Sequence, residues 1–536
     1  MSVFIGYPSF MAYQMMKGKK DNNDGFPTIP GTIARYSALG LTNEQMKENP
    51  VWVDKTGNGH DLQMKNFSWK GMSGVGGYGD ENYQTFYKFT LDDYVFIASP
   101  PGVKHMNFTF RVTGLQPRNK LTLTFFGTTN TVYGTWDKDG IYTVDADIVE
   151  AGKPTYFYNG YGATRGEFTI EILPLYPGAL VFDGVDDWAG CDNLPLLPKE
   201  KGYSIIALRN WITRYDATRY KRPLISNLDT SDEGAFLIEY RKDENVNDVT
   251  GSYNSFTDVY IDDNNPITWQ TSSSYNGQII KKGTSKPSNK LCICKTYFGQ
   301  LSNYANAAIW EIVILDHDAT EEELTKIKDY FVKTYPWLFP DQAWTVTGKT
   351  NEDKDRATIA NITGNGNDLV LSNFGFAGGS GYNEEGEYAG YLVTDGVDDK
   401  ITSSTFEMGN DWTVIGDWEL INTGKNDNAG IVKFDSIVIY NYNPILINIK
   451  NGRNNLIPDQ NTVNAICSDG RIYSKDWKES IYNEETESTS KNLLTIGYSG
   501  NRYTKIAFKN LAIYPTVLSK EDCIKAYNYL QTLKAK

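Results

Sequence analysis

Along much of the chain, apolar and polar residues alternate in short runs separated by turn residues. "NFTFRV" puts Phe108, Phe110 and Val112 on one face, "KLTLTF" does the same with Leu121, Leu123 and Phe125, and "GEFTIEI" with Phe168, Ile170 and Ile172. A period of two over such lengths predicts half-buried strands. Turn signals such as Asp139-Gly140 fall between them. Helical periodicity with a start signal is clear at two places. Thr320 with Glu323 precedes "LTKIKDYFVKTY", and Ser519 with Asp522 precedes "CIKAYNYLQTLK"; each follows an apolar strand, Ile309–Leu315 or Leu511–Tyr514. A hydroxyl cap with a carboxylate three residues on can satisfy two backbone donors reciprocally, so both read as helix starts. The prediction is an all-β chain of two strand-rich units, each closed by a helix.

An internal repeat supports two units. "TGNGHDLQMKNFSW" (Thr56–Trp69) matches "TGNGNDLVLSNFGF" (Thr363–Phe376) without a gap, and "DGVDD" occurs at Asp183–Asp187 and again at Asp395–Asp399. Self-similarity of this kind means two copies of one structural unit. The first copy has a much longer interval between its two motifs, and the surplus, 79–177, carries its own alternating strands. The expected organisation is an N-terminal arm at 1–32, a first sandwich at 33–78 plus 178–340, a β-sandwich inserted at 79–177, and a second sandwich at 341–536. Loops with close ends tolerate insertions, so residues 79–177 are expected to be removable without unfolding the first sandwich.

Composition narrows the function. The 536 residues carry 66 acidic and 52 basic side chains, a net charge of −14, which repels phosphate backbones and anionic lipid. Neither nucleic acid nor a membrane is an expected partner. The first residues have no basic, apolar and small-residue sequence of regions, so no signal peptide is expected and the chain is read as made in a cytoplasm. Five cysteines without framework spacing predict no disulfide scaffold.

The combination of "GNGxDLxLxNF", "DGVDD" after an apolar strand, "YSIIALRNW" or "WTVIGDWEL", and a final strand and capped helix resembles the laminin-G-like, concanavalin-A-like lectin jelly roll. It is similar in particular to the version found in fibre and structural proteins of phages of gut Bacteroidales, including crAss-like phages. The resemblance spans about Ile33 to the C-terminus without the insertion. It implies two tandem jelly rolls in a virion protein of fibre or appendage type, made in the host cytoplasm. Its implied partners are other virion proteins, host-surface polysaccharide and further copies of the chain, as in a trimer. A purely architectural virion module and a polysaccharide hydrolase are the alternatives.

Candidate chemistry follows from residue types. Asp-Gly after an apolar strand favours a tight turn, since glycine takes positive φ without strain. The same motifs cluster hard oxygen ligands, making Asp183, Asp186 and Asp187, with Asp395, Asp398 and Asp399, candidates for calcium. Carbohydrate binding needs an aromatic platform with polar groups around it, and the loop-like aromatics Trp136, Tyr156, Tyr158, Trp269, Tyr275, Tyr442 and Trp477 are candidates. No catalytic residue is assigned: His60, His105 and His317 lack ligand or triad spacing. The paired-carboxylate strand of lectin-fold glycosidases has only poor approximations here, such as Asp417–Leu420. The chain is read as not an enzyme.

Overall fold

The structure is a computed structural model. It describes residues 24–535 other than 79–85, 90–93, 98–104, 116–119, 126–130, 148–154, 160–167, 198–200, 214–220, 231–232, 242–249, 253–256, 261–264, 277, 280–285, 300–302, 386–387, 422–429, 435–436, 441–444, 450–452, 458–462, 476, 482–491 and 500–501. The part of the expected arm before residue 24 lies outside the described residues.

The chain is all-β, with a few short helices. Two eight-stranded sheets are built from strands before and after the insertion. One contains Thr32–Ser37, Leu180–Asp183, Ser204–Trp211 and Asn306–Leu315; the other contains Leu62–Lys65, Trp188–Cys191, Lys221–Ser226 and Leu291–Ile293. Among the described strands pairing is antiparallel except between Phe236–Arg241 and Thr257–Tyr260, and two isolated bridges, Leu228 with Tyr297 and Glu233 with Lys286, are also parallel. The second half repeats this plan with one eight-stranded sheet around Ile506–Tyr514 and another around Lys400–Phe406. Residues 86–173 supply two four-stranded sheets of their own, and Phe108, Phe110, Val112, Leu121, Leu123, Phe168, Ile170 and Ile172 form their buried core. These are the faces that the alternating pattern predicts.

Each large sandwich has an apolar core between its sheets, around Tyr36, Phe182, Ile309 and Ile312 in the first and Trp344, Leu392, Phe508 and Leu511 in the second. The strand Asn306–Leu315 is nevertheless buried at all ten positions and Ile506–Tyr514 at all nine. Side chains alternate across a strand, so such runs need a partner on both faces. The closing helices supply it. Glu321–Thr334 turns Leu324, Ile327, Tyr330 and Phe331 inward, and Lys520–Gln531 turns Cys523, Ile524, Tyr527 and Leu530 inward. Thr320 and Glu323 form a full capping box, while Ser519 accepts from the Asp522 amide at 3.1 Å.

The two helix-covered faces meet. Trp310 of the first unit and Tyr529 of the second have ring centroids 6.3 Å apart, and Tyr514 donates to the carbonyl of Trp337 at 3.1 Å. One apolar cluster therefore runs through both units and includes Cys467 and Cys523; these and the other three cysteines are buried free thiols. The insertion joins this contact: Ile141, Leu173 and Tyr176 belong to the same cluster, and Arg111 bridges Glu171 and Glu521.

The base of the insertion is closed by Leu175 N–H to Gly77 O and Tyr176 N–H to Gly76 O, each 2.8 Å, so its ends are close together as expected. Its last residues are part of the scaffold, however. Tyr176 is 3 % exposed against Trp310, whose indole N–H donates to Pro177 O at 2.8 Å. Removal of the whole stretch 79–177 would open this core. Replacing only 79–172 by a short linker is expected to preserve one cooperative unfolding transition. Cutting at 79–177 is expected to cost about 3–5 kcal/mol, the loss of a large buried aromatic. Thermal denaturation of the two shortened chains compares them directly.

Candidate functional site

Each DGVDD motif is a tight turn leaving one sheet and entering the other. Gly184 and Gly396 take φ of 76° and 77°. The first aspartate organises the turn from within: Asp183 Oδ1 accepts from the amides of Val185 at 2.7 Å and of Asp186 and Asp187 at 3.3 Å. Asp395 does the same for Val397, Asp398 and Asp399 at 2.7, 3.3 and 3.4 Å. The last aspartate closes it, Asp187 Oδ2 accepting from Asp183 N–H at 3.1 Å and Asp399 Oδ2 from Asp395 N–H at 2.7 Å. A left-handed asparagine from the other repeated motif locks the outside, since Asn66 donates to Asp186 O at 3.0 Å and Asn373 to Asp398 O at 2.9 Å. The two sequence repeats are thus a single structural device, a turn and its clasp.

The same turn gathers three carboxylates, whose candidate ligand atoms lie within 4.8 Å of one another in each copy. Each triad could hold a hard cation such as calcium. Asp183 Oδ1 and Asp187 Oδ2, like Asp395 Oδ1 and Asp399 Oδ2, already receive amide protons. Burial, with Asp183 close by, pushes the Asp187 carboxyl up to about 7. Burial likewise raises Asp399 to about 6, although there the Ser380 hydroxyl donates to Oδ1 at 3.1 Å.

Immediately after each turn, the entering strand carries a cation–aromatic pair. Lys295 Nζ sits 4.0 Å from the centre of the Trp188 ring, and Phe298 meets Trp188 edge-on at 5.7 Å. In the second unit Lys400 Nζ lies 5.0 Å from the Tyr498 ring, which packs 5.1 Å from Tyr503. Strand register makes these the same place: Ala189 faces Ile293 and Ile401 faces Ile496 across the corresponding strand pairs. Trp188 corresponds to Lys400 and Lys295 to Tyr498. The aromatic and the cation have changed strands while the pair is kept. Trp188, Phe298, Tyr498 and Tyr503 are all half-buried. Gly190 makes room for the first cluster, because a Cβ there would lie 2.6 Å from Leu291 O and 2.8 Å from the Trp188 ring.

The aromatic candidates read from the sequence do not converge on one place. Trp136 packs against Phe110 and Tyr142 in the insertion, at 5.0 and 5.5 Å, and is a core-edge residue. Trp269 is half-buried on the strand Ile267–Thr271, with Lys328 of the closing helix 5.8 Å from its ring. Trp477 requires a correction. It is 3 % exposed, packed on Tyr473 and Tyr527 in the inter-unit core, and offers no face to a sugar. Tyr156, Tyr158 and Tyr275 lie on strands whose side chains at these positions fall outside the description, and Tyr442 lies outside the described residues. The pair at Trp188 and Lys400 was missed because its partners are remote in sequence. Its signal was the aromatic residue that directly follows the first DGVDD.

No family model matches the chain, and no curated protein does. Among solved structures, a Trypanosoma rangeli sialidase in complex with sialic acid superposes at a TM-score of 0.27 and 8% identity, covering 80% of this chain and 78% of that one. In another complex of that sialidase the alignment spans 42% of this chain and 41% of the sialidase, again at a TM-score of 0.27 and 8% identity. The binding domain of botulinum neurotoxin serotype D aligns at 0.24 and 10% identity, over 65% of this chain and 89% of its own. Similarity at this level fixes neither the fold nor a ligand, and the description of the site rests on its own geometry.

Both raised carboxyls bind protons more tightly in the folded chain than in the unfolded one. Their contribution to stability is therefore complete below the unfolded value near 4 and declines as pH rises through about 6 to 7. Asp187→Asn keeps an acceptor for the Asp183 amide and removes the titration. Between pH 5 and pH 8 its melting temperature is expected to fall less than that of the unaltered chain. Equal slopes in the two proteins would contradict the assignment.

Proposed function

We propose that the chain is a non-enzymatic virion protein of fibre or appendage type that contacts host-surface glycan through the cation–aromatic pairs beside its two acidic turns. The observation that carries the binding part of this reading is the recurrence of the pair at corresponding positions with its residue types exchanged between strands. Half-buried rings offer an apolar surface to a sugar, and the neighbouring ammonium and turn carboxylates offer partners to its hydroxyls. A cation–π pair also holds the ring in one orientation before anything binds, with a contribution of about 0.5–1 kcal/mol when exposed. The virion role rests on the sequence resemblance. Calcium is the cation that the oxygen triads would favour, and it would act there by stiffening the turn.

Single sites of this shallow kind bind weakly and gain strength from multiple copies. A host-glycan array probed with the chain alone and with an artificially clustered form is expected to show binding mainly for the clustered form. Trp188→Ala and Tyr498→Ala, checked for unchanged melting, are each expected to weaken it by roughly fivefold, the effect of losing about 1 kcal/mol of aromatic contact. Silence of both forms across the array would favour the architectural role. Release of reducing ends, abolished by one carboxylate substitution, would favour a hydrolase.

A further inference from the structure

A cavity of about 370 Å³ lies beside the first TGNG turn, enclosed by the segment that leads into the first strand. Its position is informative because the second unit has the same backbone there. Lys55 N–H donates to Arg35 O at 2.7 Å, and Ile362 N–H donates to Ala343 O at 2.9 Å. The neighbouring amides agree, Arg35 N–H to Asp54 Oδ1 at 3.1 Å and Ala343 N–H to Asn361 Oδ1 at 3.2 Å. Arg35 therefore corresponds to Ala343 and Lys55 to Ile362.

In the second unit those two apolar residues are buried in one cluster with Trp337 and Leu338, which precede the strand. In the first unit both positions are cationic and the space is open. A buried cation is costly unless it is paired. Arg35 is 5 % exposed and is paired: Nε meets Glu311 at 3.3 Å, Nη2 meets the Tyr330 hydroxyl at 2.8 Å, and Nη1 meets Asp24 at 2.8 Å. The guanidinium carbon Cζ stands over the Phe26 ring, 4.0 Å from its centre. Lys55, by contrast, is exposed; it lines the same cavity from the solvent side, and no carboxylate stands within ion-pair distance of it among the described residues. Asn58 donates its amide to Ile33 O at 3.0 Å, which leaves its carbonyl oxygen as an acceptor.

We infer that this cavity is a binding site for one acidic monosaccharide unit. Its carboxylate would take Lys55, its hydroxyls would donate to Asp24 and the Asn58 carbonyl, and its apolar face would lie along Phe26. The volume falls within the usual range for small-molecule sites and holds a single ring. The site is separate from the cation–aromatic pairs, so its failure would leave the reading of those pairs standing, and failure of the pairs would leave this one standing.

Isothermal titration of the full chain with glucuronate, glucose and inorganic phosphate tests it. Glucuronate is expected to bind about two- to fivefold more tightly than glucose, the range that one exposed ion pair supplies, and more weakly as salt is raised. Lys55→Met is expected to remove that advantage and Lys55→Arg to restore most of it, with melting unchanged in both. Trp188→Ala is expected to leave glucuronate binding unaltered. Equal binding of glucuronate and glucose would overturn the proposal, as would an advantage that survives Lys55→Met. Phosphate binding as tight as glucuronate binding would show a plain anion site and overturn the sugar assignment.

Discussion

The burial of two central strands on both faces is the constraint from which the rest of the structure follows. In Asn306–Leu315, Ala307, Ile309, Ile312 and Ile314 point between the sheets, while Ala308, Trp310, Val313 and Leu315 point the other way. The change of phase between Ile309 and Ile312 falls at a bulge opposite Leu208 and Arg209. The second unit has the same bulge, opposite Asp417 and Trp418. An apolar outer face of this length cannot remain in water, and one helix per unit covers it only in part. Packing the two covered faces together buries the remainder, and this makes a tandem repeat into one body. It also assigns the remaining sheets to the outside, with the acidic turns and cation–aromatic pairs on them.

Local rules were legible in the sequence because they depend on near neighbours. The alternation that places Phe108 and Phe110 in the insertion core, the caps at Thr320 and Ser519, and the positive φ of Gly184 and Gly396 all depend on residues a few positions apart. The gapless repeat carried the two-unit plan. What could not be read was set by register. Trp188 meets Lys295 only because their strands pair, and Arg35 meets Glu311 across 276 positions. Trp477 has loop-like neighbours in sequence and a left-handed backbone, yet its ring is in the core between units. A loop position does not specify which way an aromatic points.

The exchange of Trp188 and Lys295 for Lys400 and Tyr498 identifies what the two copies have kept. Neither residue type is preserved at its own position, but the contact is. Contrast the positions of Arg35 and Lys55, where the second copy has Ala343 and Ile362 and fills the space. One feature is common to both sandwiches and is suited to a repeating ligand. The other belongs to the first sandwich alone and is suited to a single small group.

Oxidative footprinting of aromatic side chains, with and without clustered host polysaccharide, tests the placement of the proposed binding surface most directly. In the free chain Trp188, Phe298, Tyr498 and Tyr503 should be oxidised, while Trp310 and Trp477, 0 % and 3 % exposed, should not. Bound polysaccharide should protect the first group. Protection confined to Trp136 or Trp269, or oxidation of Trp477 as readily as Trp188, would contradict the account.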